Sequence, residues 1–328
     1  MKGTDYDALA ALLGAGATRE HPLGPLTTYG VGGPAALFVE IDDLGTLDTL
    51  RGALAGSDVA VFVIGRGSNL LVADAGYDGI VVHLGPSFSD ISLPDASAPG
   101  EAPSVVRAGA AAPLPVLARR AADAGWCGLT WAVGVPGSVG GGVRMNAGGH
   151  GADMASCLRR YHWVDLRRDA GGSDDVHRLA YGYRRSSITA SQLVLSAEFD
   201  VTAGDADSER AALASIVHWR REHQPGGSNA GSVFTNPVGD AAGRLVEEAG
   251  LKGFRIGTAH VSEKHANFIQ ADPGGRADDV RAVMEHVRTE VRTRCGIELS
   301  TEVRLLGFAD GDNGGVDAAS GPEGRPSP

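Results

Sequence analysis

The chain has 328 residues, 43% of them apolar, enough for two domains that each bury a core. Its formal net charge of −11 excludes the broad basic field that general nucleic-acid or membrane-surface binding requires. Cys127, Cys157 and Cys295 lie far apart, without the spacing of a metal site or disulfide framework, which points to the reducing cytosol and to no metal.

Glycine is the compositional anomaly: its 48 copies are roughly twice the usual share. They cluster in motifs rather than in a repeat, so the excess belongs to turns and ligand loops. At the N-terminus, ALAALLGAGA could imitate the apolar core of a leader, but Asp5 and Asp7 outweigh Lys2, and a short helix is expected instead. No apolar run approaches the roughly 18 residues of a membrane span.

LTTYGVGGPAALFVEI, residues 26–41, reads as a Gly-rich turn leading into a strand. Leu44, Leu47, Leu50 and Leu54 then mark a helix started by Asp42 or Asp43 and ended near Gly56. VAVFVIGRGSNLLVAD (59–74) predicts strand, tight loop and strand, and GIVVHLG completes a βαββ unit. The loop GRGSN (65–69) contains Gly-x-Gly after a strand, but it lacks a third glycine, a following helix and an acidic residue about 20 positions on, so the dinucleotide fingerprint fails. Its backbone amides, the Ser68 hydroxyl and the Asn69 amide remain suited to phosphate.

SVVRAG followed by a helix with Leu114, Leu117 and Ala121 on one face, stopped at Gly125, leads into GVPGSVGGGVRMNAGGHG (134–151). Eight of its eighteen positions are glycine, which lets backbone approach a bulky anion. The intervening Val135, Pro136, Val139, Val143 and Met145 favour an ordered, half-buried loop over a linker. YHWVDL (161–166) and LVLSAEFDV (193–201) are strand candidates flanking YGYRRSS, and polar TAGDADSE marks a boundary near residue 205.

Beyond it come a helix over about 208–221, the loop HQPGGSNAGSVFTNP, a helix capped by Asp240 and ended by Gly250, and apolar segments around Ile256 and Phe268. A helix carrying Val280, Val283, Val287 and Val291, closed by Gly296, comes next. In ELSTEVRLLGF, alternation puts Leu299, Thr301, Val303 and Leu305 on one face and Ser300, Glu302 and Arg304 on the other. Residues 309–328 carry almost nothing to bury and are expected to be disordered.

Three places hold polar groups that packing alone does not require. Glu302 is free to face a cavity or solvent. Of Arg184 and Arg185 on an extended segment, one faces inward, where a carboxylate or phosphate would suit it, or both serve surface ion pairs. Ser232 sits in a turn-rich loop that is no nucleophile elbow, and HVSEKH lacks the zincin spacing.

Taken in order, LTTYGVGGPA, IGRGSNLLV, GVPGSVGGGVRMNAGGHG, YGYRRSS, NAGSVFTNP, SEKHANFI and LSTEVRLLG resemble the UDP-N-acetylenolpyruvoylglucosamine reductase family over about residues 20–308, in its compact type without an extra substrate-covering loop. The resemblance implies an α+β fold: an FAD-binding region of two subdomains, vanillyl-alcohol-oxidase-like (PCMH-like), followed by an α+β substrate-binding domain. The implied boundaries are an N-terminal helix (1–20), FAD-binding subdomains (21–85 and 86–205), a substrate domain (206–308) and the tail (309–328).

By the same resemblance the chain is a cytoplasmic oxidoreductase of peptidoglycan precursor synthesis, with non-covalently bound FAD and NADPH as co-substrate. NADPH reduces FAD, and reduced FAD passes hydride to C3 of the enolpyruvyl ether, leaving charge at C2 delocalised into the carboxylate. Arg184 and Glu302 would stabilise that charge, Glu302 either protonated, which burial favours, or through a water, while Ser232 donates the proton to C2. Gly65, Arg66, Gly67, Ser68, Asn69, Gly134, Pro136, Gly137, Ser138, Gly141, Asn146 and Gly148 would bind FAD. Tyr183, Asn236 and Lys264 would bind the UDP-sugar. Thr235 replaces a lysine common in the family, leaving Lys264 or Arg244 as the cation for the diphosphate, and Gly149-His150 replaces Ala-Tyr. The partners expected are this substrate and NADPH, with no nucleic acid and no membrane, and the oligomeric state stays open with a monomer favoured. A flavin-dependent oxidase on the same fold and a non-catalytic nucleotide-binding module are the alternatives.

Overall fold

The computed structural model describes residues 4–94 and 104–309. The expected disordered tail lies outside them apart from Ala309. In chain order the elements are α1 (Tyr6–Leu13), β1 (Ala17–Pro22), β2 (Pro34–Ile41), α2 (Leu44–Leu54), β3 (Val61–Ile64), β4 (Leu70–Val72), β5 (Tyr77–Leu84), β6 (Ile91–Ser92), β7 (Ser104–Gly109), α3 (Leu114–Asp123) and β8 (Trp126–Cys127). They continue with α4 (Val139–Met145), β9 (Gly148–Gly149), β10 (Ala152–Asp153), α5 (Met154–Cys157), β11 (Leu158–Asp165), β12 (Gly171–Asp175), β13 (Gln192–Ala203) and α6 (Ala206–His223). The last are α7 (Ala242–Glu248), β14 (Arg255–Ile256), β15 (Ala259–Val261), β16 (Ile269–Ala271), α8 (Ala277–Cys295) and β17 (Arg304–Leu306). Among the described residues no helix is long and apolar enough to cross a membrane.

The chain divides into two compact units, the first from residues 1–19, 37–66 and 79–220, the second from 20–36, 67–78 and 221–328. The last change of unit falls at the end of α6.

The first unit carries a four-stranded sheet in the order β1-β2-β5-β3 and a larger one in the order β12-β11-β13-β7-β6, with β8 also on β13. Strand β13 is central because its inward residues Leu193, Ala197, Phe199 and Val201 are buried along its length. Helix α2 starts where the Asp43 carboxylate accepts from Thr46 N–H (2.8 Å), and it buries Leu47, Leu50 and Leu54. Helix α3 buries Leu114, Leu117, Ala118, Ala121 and Ala122, the face its spacing predicts.

Two expectations change here. The strands around GRGSN do not form one βαββ unit: β3 pairs parallel with β5, whereas β4 leaves that sheet and pairs parallel with β17. A short apolar run such as LLV declares a buried strand but not its partner. The Gly-rich stretch is not all loop, because α4 runs through VGGGVRM, capped by Ser138 and ended by Asn146 in the left-handed region. Three glycines, each about 1 kcal/mol worse than alanine in a helix, hide it from propensity.

In the second unit α8 buries Val280, Val283, Met284, Val287 and Val291 and ends at Gly296 (φ 71°). Strands β14, β15 and β16 form an antiparallel sheet that packs with α7 and α8 around Leu245, Val246, Val261 and Ile269. Asp240 does not cap α7. Its carboxylate accepts from Ala241 N–H and holds Arg244, and Asn236 Oδ1 accepts from Ala242 N–H (3.0 Å) at the helix start. Only Arg304–Leu306 of the C-terminal alternating segment joins a ladder, while Thr301 makes a single bridge to Phe234. Leu299, Val303 and Leu305 are nonetheless buried, with Glu302 and Arg304 half-buried opposite.

Candidate active site

The first unit holds a cavity of about 370 Å3 whose wall includes Gly65, Arg66, Ser138, Gly140, Gly141 and Arg144. Both arginines belong to a protein of net charge −11, and no Asp or Glu is among the described lining residues, although Asp42 abuts the lining Gly85 and Glu40 is 3.6 Å from the lining His83. Its walls touch closely: a Cβ on Gly65 would lie 2.5 Å from Ser138 Oγ, and one on Gly140 would lie 2.9 Å from Ala110 Cβ. Side chains at these positions would close the seam between strand and helix.

Arg66 ties the two glycine-rich segments together by donating from Nε to Pro136 O (3.1 Å). Ser138 is 3% exposed and accepts from Gly141 N–H (3.4 Å), while Gly137 O accepts from Leu114 N–H (3.0 Å). A Cβ on Gly134 would meet the ring of His150 at 3.0 Å. That ring packs edge-on to Trp219, with centroids 5.2 Å apart. Burial, and then the nearby Arg220 charge, lower the His150 pKa, so the imidazole is neutral at neutral pH. Beyond Arg66 the GRGSN loop passes into the second unit, and β4 rather than a helix comes after it.

Arg184 is not on an extended segment. Gly182 and Arg185 exchange backbone bonds (3.0 and 3.2 Å), which makes Tyr183-Arg184 the tip of a tight turn, with Arg184 at φ 53°. Its guanidinium donates to Gly148 O (2.9 Å) and Asn146 O (3.4 Å), at the end of the Gly-rich stretch, and lies over the exposed Tyr183 ring (4.9 Å). Arg185 is exposed. Asn146 fixes the turn: it is 6% exposed, its Nδ2 donates to Gly182 O (3.1 Å) and Asp153 Oδ2 (3.3 Å), and its Oδ1 accepts from Ala155 N–H (3.0 Å). The side-chain amide expected at the cofactor is therefore engaged in holding Arg184.

In the second unit the Ser232 loop runs beside the Glu302 segment. Glu302 N–H donates to Val233 O (2.8 Å), and Thr235 N–H to Ser300 O (2.9 Å). Asn69 Nδ2 donates to Glu302 O (3.1 Å), and Arg304 N–H donates to Asn69 O (3.0 Å), so Asn69 braces this segment. Thr235 Oγ1 also reaches Ser300 O (3.3 Å). Lys264 Nζ donates to Arg221 O (2.6 Å). Arg244 lies between Asp240 and Glu248, and that ion pair pulls the Asp240 carboxyl down to about 2.

The geometry thus brings Gly65, Arg66, Ser138 and Gly141 to one cavity, with Pro136 O accepting from Arg66, and Arg184, Asn146 and Gly148 to one turn. Gly67, Ser68, Asn69, Ser232, Asn236, Lys264 and Glu302 belong to the second unit. Sequence reasoning missed Arg144, whose Nη1 donates to Thr189 O (2.7 Å) at the cavity wall. Had α4 been read as a helix, Arg144 would have fallen on the face of Gly140 and Gly141.

A family model described as an FAD-binding domain matches residues 35–168, and one described as the C-terminal domain of UDP-N-acetylenolpyruvoylglucosamine reductase matches 223–306. A UDP-N-acetylenolpyruvoylglucosamine reductase of Heliobacterium modesticaldum is 41% identical over 306 residues, 91% of this chain and 94% of the relative. The chain belongs to the UDP-N-acetylenolpyruvoylglucosamine reductase family. It is an FAD-dependent oxidoreductase. A relative of the same name from Synechococcus sp. RCC307 is also 41% identical, over 88% of this chain and 93% of its own length. The crystal structure of the corresponding reductase from Thermus caldophilus superposes with a TM-score of 0.74 at 31% identity, covering 88% of this chain and 98% of that one. The α+β character expected from sequence agrees with these matches.

Proposed function

We propose that the protein reduces UDP-N-acetyl-3-O-(1-carboxyvinyl)-glucosamine to UDP-N-acetylmuramate with NADPH, in the cytoplasmic synthesis of peptidoglycan precursors. The first unit holds FAD and the second takes the UDP-sugar. The observation that carries the cofactor half is the arginine-lined cavity walled by glycines, with no Asp or Glu among its described lining residues, in an acidic protein. Two cationic groups and uncovered backbone amides suit a pyrophosphate, which they neutralise without filling its space. Gly65, Arg66, Ser138, Gly140, Gly141 and Arg144 hold that part of FAD, with Asn146 positioning rather than binding. When bound, FAD supplies the hydride.

The chain's own residues deal with what hydride addition at C3 leaves behind, a negative charge at C2 spread into the substrate carboxylate. Arg184, held rigidly by carbonyls and tilted over Tyr183, offers a fixed cation for it. Glu302 stabilises the same charge as the neutral acid or through a bridging water, and the Ser232 hydroxyl gives its proton to C2, with the hydride coming from NADPH and the serine alkoxide regaining a proton from solvent. Tyr183, Asn236 and Lys264 orient the UDP-sugar.

Stopped-flow spectroscopy under anaerobic conditions separates the halves. NADPH bleaches the flavin, and the enolpyruvyl substrate restores its absorbance. Restoration by O2 but not by that substrate would make the protein an oxidase. Ser232→Ala keeps the bleaching rate and slows the restoration by ~10²- to 10⁴-fold, the usual weight of a general acid. Equal losses in both halves would remove Ser232 from proton transfer.

A further inference from the structure

We infer that Asn267 is a positioning residue for proton delivery, holding the Ser232 loop in register with the Glu302 segment. The inference rests on the role proposed above for Ser232. Ser232 comes directly after Gly231, which sits at φ 77°, with its N–H on Asn229 Oδ1 (3.0 Å). A backbone turning through glycine has wide freedom, so a constraint on the Ser232 side chain has to come from Val233 and Phe234 on its C-terminal side.

That constraint is a single residue on one side. Asn267 is 3% exposed. Its Nδ2 donates to Phe234 O (2.8 Å), its Oδ1 accepts from Phe234 N–H (3.0 Å), and its backbone O accepts from Val233 N–H (2.8 Å). On the other side Val233 O accepts from Glu302 N–H (2.8 Å) and Val303 N–H (3.4 Å), and Phe234 bridges Thr301. The two residues after Ser232 are therefore fixed between Asn267 and the Glu302 segment.

The amide is the right group for this. It presents one donor and one acceptor in the spacing of a peptide bond, so it completes Phe234 as a neighbouring strand would. Its orientation is dictated, because Nδ2 faces a carbonyl and Oδ1 faces an N–H. Aspartate has the same size but cannot donate to Phe234 O when ionised, and serine reaches neither partner. Asn267 is itself anchored, since its N–H donates to His265 Nδ1 (3.2 Å) and the Ser262 hydroxyl accepts from Lys264 N–H (3.1 Å).

The test is a double-mutant cycle on the two half-reactions of the flavin-loaded enzyme, with N267D, Ser232→Ala and both together. N267D should slow reoxidation by the enolpyruvyl substrate ten- to a hundredfold, leave the rate of flavin bleaching by NADPH within twofold of wild type, and leave the substrate concentration at half-maximal rate nearly unchanged. Added to Ser232→Ala, it should cost less than threefold more, because its effect runs through the serine. If N267D gives no soluble protein, N267S, which buries no charge, takes its place in the cycle. A wild-type reoxidation rate, equal losses in both half-reactions, or a full additional loss on top of Ser232→Ala each overturns the inference. If Ser232→Ala alone leaves reoxidation intact, the proposed role of Ser232 fails, a result distinct from any of these.

Discussion

Around the cavity of the first unit the decisive contacts come from positions without side chains. A Cβ at Gly65 or Gly140 would collide with Ser138 or Ala110, and among the described lining residues Arg66 and Arg144 carry the charge. Around Ser232 in the second unit a buried side chain decides, with Asn267 bonding both backbone groups of Phe234. The difference fits the tasks proposed for the two places. A large anion is held by removing bulk and leaving amides and cations at its edge, whereas a proton transfer depends on one oxygen being fixed to within tenths of an ångström. The first kind of site is lost by adding atoms, the second by changing one bond.

A branched residue at Gly140 breaks the cradle most severely. Gly140→Val places its Cβ 2.9 Å from that of Ala110 and adds two methyls. The overpacking costs about 2 kcal/mol, so FAD binding weakens roughly thirtyfold, read by flavin fluorescence quenching on titrating the apoprotein. Unchanged affinity would remove this seam from the cofactor site. Removing charge rather than space should do less. Arg66→Gln is exposed and screened, and is expected to lower FAD affinity five- to tenfold at low salt, about 1 kcal/mol. The gap to wild type should narrow as salt rises, and a salt-independent loss would mean Arg66 acts through its Pro136 bond alone. The smallest effect is spectroscopic. Because the His150 pKa is lowered from its ordinary 6.5, Trp219 fluorescence should fall only as pH drops below that value, when the imidazolium forms at the edge of the indole. Trp219→Phe removes the titrating component, and a midpoint at or above 6.5 would show the ring to be solvated.

Regular amphipathic elements were legible from sequence. The leucine spacing of α2, the small-residue face of α3 and the valine repeat of α8 each named the buried side, since helical period alone fixes it. Alternation in ELSTEVRLLGF likewise separated Leu299, Val303 and Leu305 from Glu302. What failed was partnership and local propensity. LLV could not announce that its neighbour is the distant segment Arg304–Leu306, and glycines in VGGGVRM concealed a helix that tertiary packing against Leu114 and Met154 maintains. At the site, residue types pointed to chemistry but not to which atoms were already engaged. Asn146 and Asn69 looked like ligand amides, and sequence could not tell that their Nδ2 groups also donate to Gly182 O and Glu302 O. Asn267 escaped notice because an asparagine in a polar loop carries no period, and its importance lies wholly in contacts distant in sequence.

The parallel ladder between Leu70–Val72 and Arg304–Leu306 also sets an order of events at the ribosome. Leu70, Leu71 and Val72 leave the exit tunnel long before Arg304–Leu306, the strand that pairs with them. Closing so long a loop is entropically unfavourable and slow until the second unit's own helices have gathered. A nascent or truncated chain ending before residue 304 therefore presents an apolar strand edge with no native mate, a template for association with other chains. For this protein the risk of misassembly is concentrated in the interval before Arg304–Leu306 arrive.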